Sequence, residues 1–287
     1  MEGERPWIAH VSACQTCPVP AFRKTATPAA IASEAASLRW LTAAVADGGA
    51  AVVPLLTSGA GWLETRRLRP VPASAVAAEA FGRELARTHA TGAQWFGQAP
   101  PGLAVADARL AELPHPMVAT AAGASTSWGA FYAQSRVGPY VRLARDRGAL
   151  DADDACLLDA ALTRIAAGTF DAAQPGLCGA VARIHGDLWG GNVLWSDDFP
   201  GSEGTLRGVL IDPAAHGGHA ETDLAELALF GSPFLERTLR GYHEVSPLAH
   251  GWRGRVGLHQ LHMLAVHAAL FGGGYGRQTM RAARALL

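Results

Sequence analysis

The sequence predicts an α+β protein with two lobes, a small sheet-plus-helix lobe at residues 1–65 and a larger, mainly helical lobe at residues 66–287. In the first part, short strand-like runs surround a single helical pattern. A proline-bounded segment from Arg66 to Pro72 follows, and such segments are natural hinges between lobes. Beyond it, apolar residues recur mainly at helical spacing. A chain of 287 residues can bury a substantial core.

Composition narrows the classes of function. Of all residues, 49% are apolar and 17% are charged, and the formal net charge is −1. These values argue against a nucleic-acid or membrane-surface partner and favour a small ligand. The segment Met1–Pro6 has no basic stretch leading into an apolar run, and no run approaches the length of a membrane span. We therefore expect a cytoplasmic protein.

The cysteines do not predict a disulfide scaffold. Cys14 and Cys17 form a CxxC pair, but Cys156 and Cys178 do not form a second one. A zinc site would need more ligands at suitable spacing, so zinc or redox chemistry at the pair is the weaker reading.

Lys24 is the only lysine of the chain and lies in the strand-like run Ala21–Thr25. Glu34 follows in a predicted helix for which Ser33 is a plausible N-cap and which Gly48 ends. In kinases a strand lysine is held by a helix glutamate and contacts the phosphates of the nucleotide. Arginine, with its broad fork, is no equal replacement for the compact ammonium. The alternative is a surface lysine near an unrelated acid.

The rest of the small-lobe sequence predicts where the adenine of a nucleotide would bind. The apolar run Ala51–Leu56 reads as an edge or bent strand because it contains Pro54. Leu63, Glu64 and Thr65 then lead into the hinge, where an adenine would dock.

The large lobe is read as a series of helices around one loop. The stretch Gly97–Ala124 is rich in Pro, Gly and Ala, and we expect a long irregular loop that forms a binding wall. The helices are predicted at about 74–91, 128–147, 153–167, 221–230, 233–242 and 252–270.

The run His185–Asn192 reads HGDLWGGN and ends in the only asparagine of the chain. Asp187 lies two residues after His185, and Asn192 lies five residues after Asp187. This is the order of a kinase catalytic loop, in which the Asp orients the attacking hydroxyl and the Asn binds magnesium. The alternative is a helix-capping Asp beside an unrelated turn Asn.

Asp212 supplies the second predicted metal ligand. It ends the strand-like run Gly208–Ile211, which a polar, Gly-rich turn connects to Asn192. A hairpin returns both side chains to the same end of the sheet, so they can share one ion. Mg²⁺ suits this oxygen-only set of ligands.

A helix begins within about ten residues of Asp212, which leaves no room for the long segment that holds a peptide in protein kinases. We therefore expect a small-molecule acceptor. Asp223 lies at the start of that helix and either caps it or braces the catalytic loop through backbone N–H groups, together with His185 as structural support.

Several motifs together resemble the fructosamine (ketosamine-3) kinase family, a branch of the aminoglycoside-phosphotransferase-like kinases. They are His185–Asn192, Ile211–Ala225 (IDPAAHGGHAETDLA), Leu229–Gly231, Gly257–His262 and Phe271–Tyr275 (FGGGY). The resemblance implies a protein-kinase-like fold and ATP- and Mg²⁺-dependent phosphorylation of the 3-hydroxyl of a ketosamine, free or on a glycated protein.

By position, the resemblance makes Asp187 the base, Asn192 and Asp212 the ligands of magnesium, and Lys24 with Glu34 the pair that positions the phosphates. Trp189 can stack on the sugar or pack under the loop, and His219 and Glu221 are expected on the acceptor side. The chain departs from the family at His10–Pro20, where a Gly-Gly turn over the phosphates is replaced by a stretch without glycine.

Three alternatives stay open at this point. In the first, the acceptor is an aminoglycoside, choline or another amino alcohol. In the second, the protein is a non-catalytic pseudokinase, as the missing glycines suggest. The third takes His259, His262 and His267 as metal ligands on one helix, although groove-lining or core histidines explain them better. The oligomeric state is not predicted.

Overall fold

The computed structural model describes residues 20–287, and the small lobe is built there from four strands and one helix. In chain order these elements are β1 (Ala21–Thr25), α1 (Pro28–Thr42), β2 (Ala51–Val52), β3 (Leu55–Gly59) and β4 (Trp62–Arg66). The Cys14–Cys17 pair and residues 10–19 of the glycine-free stretch lie outside the described residues.

An antiparallel sheet of order β1-β4-β3 carries the only lysine. Lys24 lies opposite Leu63 in the β1–β4 register. Pro54 divides the run Ala51–Leu56, as expected, because a residue without an N–H cannot continue the ladder. The residues before it form β2, and those after it begin β3.

Helix α1 begins earlier than predicted. Thr27 is its N-cap, with the hydroxyl accepting from Ala30 N, and Pro28 occupies the first turn, where proline is favoured. Ser33 is therefore not the cap. It is buried inside the helix, and its hydroxyl bonds the backbone of Arg109 at 3.1–3.2 Å. Glu34 consequently lies in the second turn.

The large lobe contains eight further helices and six short strands among the described residues. In chain order they are α2 (Ala75–Ala90), β5 (Arg109–Leu110), β6 (Leu113–Pro114), α3 (Trp128–Phe131), α4 (Gly138–Asp146), α5 (Ala152–Ala166), β7 (Ala182–Ile184), β8 (Val193–Ser196), β9 (Arg207–Leu210), β10 (His216–Gly218), α6 (Ala220–Leu229), α7 (Leu235–Val245), α8 (Trp252–Phe271) and α9 (Gly274–Arg284). Within residues 20–287, none of the helices combines the length and apolar character that crossing a membrane requires.

One predicted helix is divided in the structure, and one helix of the structure is not predicted. The pattern at 128–147 is one helical segment in which a π-helical turn at Tyr132–Val137 separates α3 from α4. Near the C-terminus, α8 is followed by a separate helix α9, since Gly272 and Gly273 adopt positive φ angles of 62° and 56°. The stretch Gly97–Ala124 is irregular, as expected, apart from β5, β6 and short 3-10 turns.

The two lobes share a sheet, which positions the predicted site residues. Strand β2 of the small lobe pairs in parallel with β9, and β9 pairs with β8 in an antiparallel hairpin. The boundary at 65/66 stays a prediction, but the predicted fold class is confirmed: a small sheet-plus-helix lobe on a larger, mainly helical one.

The core beneath this hairpin holds α2 against the shared sheet. Phe81 and Leu85 of α2 are buried with Val209 and Leu224. A second cluster packs α4, α5 and α8 around residues such as Leu158 and Leu261. Each fully buried apolar side chain of this size contributes about 1.5–3 kcal/mol.

Helices α2 and α7 meet backbone to backbone at two glycines. A Cβ atom at Gly82 would overlap the carbonyl oxygen of Thr238, and one at Gly241 would overlap that of Glu79. No residue larger than glycine therefore fits at either position unless the two helices move apart.

We expect Gly82→Ala to lower the free energy of unfolding by about 1–3 kcal/mol, because the added methyl group forces the helices apart. Gly257→Ala in α8 is the matched control, since a Cβ there meets open space, and it should raise stability by about 0.5–1 kcal/mol. Denaturant unfolding measures both. Equal stability of the two variants would contradict the close approach.

Candidate active site

The β8–β9 hairpin brings the two predicted metal ligands to one end of the shared sheet. Val193 pairs with Leu210, and Ile211 N donates to Asn192 O at 3.1 Å. Asp212 follows with a φ of 52°, a left-handed conformation that is unusual for a residue other than glycine. Both side chains line the same cavity.

Asn192 also closes the catalytic loop. Its Nδ2 donates to the carbonyl oxygen of Asp187 at 2.8 Å and to Asp187 Oδ2 at 3.1 Å. The amide group is thus oriented by the loop itself, and its carbonyl oxygen is the atom left to bind a cation. The five-residue spacing is what permits this closure.

Burial raises the pKa of Asp187 to about 7, and although the hydrogen bond from Asn192 lowers it, nearby Asp212 raises it further. A carboxylate with a pKa near the working pH can accept a proton from a bound hydroxyl. A cation bound beside it would favour the ionised form.

Lys24 joins the small lobe to the hairpin. Its Nζ lies 2.7 Å from Glu34 Oε2 and 3.1 Å from Asp212 Oδ1. Burial lowers the pKa of Lys24, but the two carboxylates outweigh this effect and raise it above its usual value. The lysine is therefore charged and stands between the helix glutamate and the predicted metal site.

Asp223 braces the catalytic loop rather than capping α6. Its Oδ2 accepts from His185 N at 2.7 Å, and its Oδ1 accepts from Gly186 N at 3.0 Å. His89 Nε2 lies 3.0 Å from the same carboxylate. Burial raises the pKa of Asp223, but these hydrogen bonds outweigh it and leave the pKa lowered. The N-cap of α6 is His219.

His185 links the loop to the strand that ends at Asp212. Its Nε2 donates to Ile211 O at 2.9 Å, and its Nδ1 accepts from Asp187 N at 3.3 Å. Burial lowers the pKa of His185, so the ring is neutral. His185 thus supports the loop around Asp187, which is the kind of role that the sequence predicts for this residue.

Glu226 is a supporting residue that the sequence reasoning missed. Its Oε2 accepts from Leu188 N at 2.9 Å inside the catalytic loop. Burial raises the pKa of Glu226 well above its usual value, and Asp223 and Asp187 raise it further. The side chain is therefore a neutral carboxylic acid. An acid three residues after Asp223, on the same face of an apolar helix, was the available signal.

A cleft of about 300 Å³ lies between β4, the hinge and the shared sheet. Of the three residues predicted to contact the adenine, Leu63 and Thr65 line this cleft. Glu64 does not, because alternate residues of a strand face opposite sides; its carboxylate is 3.6 Å from Arg23 on the other face. Sequence reasoning missed several apolar walls, namely Phe22, Val53, Leu68, Leu194 and Ile211.

A second cavity of about 280 Å³ shares Lys24, Glu34 and Asp212 with the first and contains Asp187 and Asn192. Trp189 forms part of its wall and is 40% exposed, so the indole does not pack under the loop. The opposite wall is the β5–β6 hairpin, whose tip contains Ala111 at a φ of 51°. The predicted wall loop thus contributes through this hairpin.

His219 and Glu221 do not reach either cavity, which corrects the expectation that they face the acceptor. They are 2% and 3% exposed, because the first turn of α6 points them at α8. Glu221 accepts from Arg255 Nε and Nη2 at 2.8 and 2.6 Å, and lies 3.4 Å from His259 Nε2. These residues form a buried polar cluster.

A metal site among the histidines is also not formed in the described part of the chain. His219, Glu221 and His259 approach one another, but Arg255 already occupies the carboxylate, and the ring nitrogens of His219 bond Ala172 O and Glu221 N. His262 points to Glu226, and His267 bonds Met263 O. The three histidines of α8 diverge, as expected for core residues.

The lysine–glutamate pair, the Asp-to-Asn loop and the strand-terminal Asp in one cleft between two lobes define a protein with the protein-kinase-like fold. A family model described as fructosamine kinase matches residues 22–287. The chain belongs to the fructosamine kinase family.

Individual relatives of the chain also carry ketoamine kinase names. The chain is 32% identical over 206 residues to the probable ketoamine kinase YniA of Escherichia coli K12, a match that covers 72% of this chain and 62% of that protein. It is 34% identical to a probable ketoamine kinase of Synechocystis over 54% of this chain and 47% of that protein. The matches thus span about half to three fifths of these relatives.

Solved structures show the same architecture. A crystal structure described as a "putative fructosamine-3-kinase" from Thermobifida fusca superposes with a TM-score of 0.79 at 39% identity, over 93% of this chain and 85% of that one. A Haemophilus somnus structure at 18% identity and a TM-score of 0.72 shares the fold.

We expect Glu226→Leu to lower the free energy of unfolding by about 1–3 kcal/mol, because the buried N–H of Leu188 loses its acceptor. Glu226→Gln keeps an acceptor oxygen and is the matched control.

The pH dependence of stability, compared between wild type and Glu226→Gln, tests the protonation state of Glu226. The folded pKa of Glu226 is raised above the unfolded value near 4.5, so its contribution to stability is complete below that pH and falls as pH rises toward the folded pKa, by up to about 1.4 kcal/mol per pH unit. Stability of Glu226→Gln relative to wild type should therefore grow above pH 4.5 in denaturant titrations. A constant difference across pH would show that Glu226 is ionised in the fold.

Proposed function

We propose that the protein is a small-molecule kinase that transfers the γ-phosphate of ATP to the 3-hydroxyl of a ketosamine sugar. The observation that carries this proposal is the placement of Lys24 2.7 Å from Glu34 and 3.1 Å from Asp212, in a cavity that also contains Asp187 and Asn192. Membership of the fructosamine kinase family and the names of its relatives support the choice of substrate class.

The apolar cleft beside the hinge is the proposed site of the adenine. Phe22, Leu63 and Leu68 offer apolar contact to a flat base. From there the triphosphate would extend toward Lys24. An ammonium held by Glu34 can bind phosphate oxygens at little entropic cost, since the side chain is already ordered.

Asn192 and Asp212 are the proposed ligands of Mg²⁺. The donor set fits the ion, because the two residues offer an amide oxygen and a carboxylate at one end of the hairpin and contribute no sulfur or imidazole. Bound there, Mg²⁺ would neutralise phosphate charge.

Asp187 is the proposed base. The hydrogen bonds from Asn192 fix its carboxylate, and Asp223, His185 and Glu226 fix the backbone on both sides of it. In phosphoryl transfer, holding the hydroxyl in line with the phosphate and neutralising charge account for most of the rate. The carboxylate orients the hydroxyl and takes its proton.

The acceptor would occupy the second cavity, between Trp189 and the β5–β6 hairpin. Helix α6 begins at Ala220, so the segment after Asp212 is too short to support a peptide substrate along the cleft. The exposed side of Trp189 leaves the cavity open to solvent, which allows the sugar to be carried by a free amine or by a side chain of a glycated cytoplasmic protein.

The direct test is a phosphorylation screen with ketosamines, aminoglycosides and choline, in the presence and absence of Mg²⁺. We expect ADP and a phosphorylated sugar from ketosamines only, and loss of both on chelation. Lys24→Ala should abolish the signal. Phosphorylation of an aminoglycoside or choline instead would change the acceptor class, and binding of a ketosamine without turnover would indicate a pseudokinase.

Asp187→Asn should lower kcat by about 10²- to 10⁴-fold, the usual contribution of a general base, and leave the dissociation constant of ATP little changed. Asp197→Asn on the β8–β9 turn is the control, because that carboxylate bonds Arg69 on the surface. Steady-state kinetics and calorimetric ATP titration separate the two effects. Unchanged turnover would remove Asp187 from the mechanism.

A further inference from the structure

Five rings form a continuous surface that begins inside the second cavity. We call it the aromatic shelf: Trp189, Phe230, His267, Phe271 and Tyr275. Ring centroids are 6.2 Å apart for Trp189 and Phe230, and 5.0 Å apart for Phe230 and His267. Tyr275 and Phe271 follow at 5.0 and 5.6 Å from His267.

The shelf is exposed, although it consists of large side chains that normally bury most of their area. Trp189 and Phe230 are each 40% exposed, and Phe271 is 67% exposed. Single exposed apolar residues are common, but a contiguous patch of rings at the edge of a cavity is typical of a binding surface.

Glycines at two points of the chain build the shelf. A Cβ at Gly191 would overlap the indole of Trp189, and one at Gly190 would overlap the carbonyl oxygen of Gly231, next to Phe230. The catalytic loop can therefore lie flat against the segment that follows α6. At the other end, the positive φ angles of Gly272 and Gly273 turn the chain so that Phe271 and Tyr275 meet.

The shelf carries no charge of its own. His267 donates from Nδ1 to Met263 O, and burial lowers its pKa, so the ring is neutral at pH 7. An uncharged row of aromatic faces selects apolar or aromatic groups over anions.

The position of the shelf determines which part of the acceptor can reach it. In a ketosamine the nitrogen and the 3-hydroxyl are attached to neighbouring parts of one short carbon chain. With the hydroxyl at Asp187, the nucleotide side of the cavity is closed by Lys24, Glu34 and Asp212. The side of the cavity formed by Trp189 then leads the nitrogen substituent toward Phe230.

We propose that the aromatic shelf is a subsite for the amine-derived substituent of the ketosamine, and that it selects aromatic or bulky apolar amines. The inference rests on the proposed function, since it names the acceptor class of the same site. Phe230 is the ring next to Trp189, so it is the first part of the shelf that the substituent reaches.

The test compares the ketosamines that glucose forms with benzylamine and with methylamine. For the wild-type protein we expect kcat/KM about tenfold higher for the benzylamine adduct. Phe230→Ala should reduce this value about three- to tenfold and leave that of the methylamine adduct little changed. Phe230→Leu, which keeps an apolar group, should fall between wild type and Phe230→Ala. Val76→Ala, an exposed apolar residue on α2, is the control and should behave as wild type.

Calorimetric binding of both adducts separates this inference from the proposed function. Tighter binding of the benzylamine adduct that is lost in Phe230→Ala, without any phosphorylation, would support the subsite and refute the kinase activity. Phosphorylation of both adducts with equal kcat/KM, or a benzyl preference that survives in Phe230→Ala, would overturn the subsite and leave the kinase activity standing.

Discussion

The buried carboxylate of Asp223 is the interaction on which the rest of the site depends. It receives hydrogen bonds from two consecutive backbone N–H groups of the catalytic loop and lies 3.0 Å from a ring nitrogen of His89 in α2. Together with α6, which carries Asp223, these partners join three separate parts of the chain. A buried ionised group is tolerated only when its hydrogen-bonding capacity is filled, so the loop is held in one conformation. The positions of Asp187, Trp189 and Asn192 depend on this loop conformation.

The small lobe is tied to this arrangement by a second polar contact, the placement of Lys24 between Glu34 and Asp212. The ammonium is partly shielded from water, and each carboxylate belongs to a different element, α1 and the end of the β8–β9 hairpin. Since β2 also pairs with β9, the two lobes meet through both a backbone ladder and an ion pair. The cleft beside the hinge and the second cavity share that ion pair as their common wall.

Much of the fold and of the site could be predicted because the relevant signals are local. The five-residue step from Asp187 to Asn192 closes a loop by a side-chain hydrogen bond, and the hairpin between Asn192 and Asp212 is a single turn. The helix at Ala75–Ala90 follows from its cap Ser74 and its periodicity. Two errors remain: Ser33 is a good cap residue, but Thr27 followed by Pro28 is a better helix start, and α9 was missed because it begins among glycines, which are poor helix formers.

By itself, the sequence determined which chemical groups are available and at what short-range spacing, since backbone closure and strand alternation depend on neighbours along the chain. Only the tertiary structure decided which groups face the cavities. It turned His219 and Glu221 away from the cavities, placed Glu226 under Leu188, and brought the Arg109–Glu112 hairpin and Phe230, at the end of α6, to the catalytic loop. These contacts join residues far apart in sequence, and their formation depends on how helices pack, which no local pattern records.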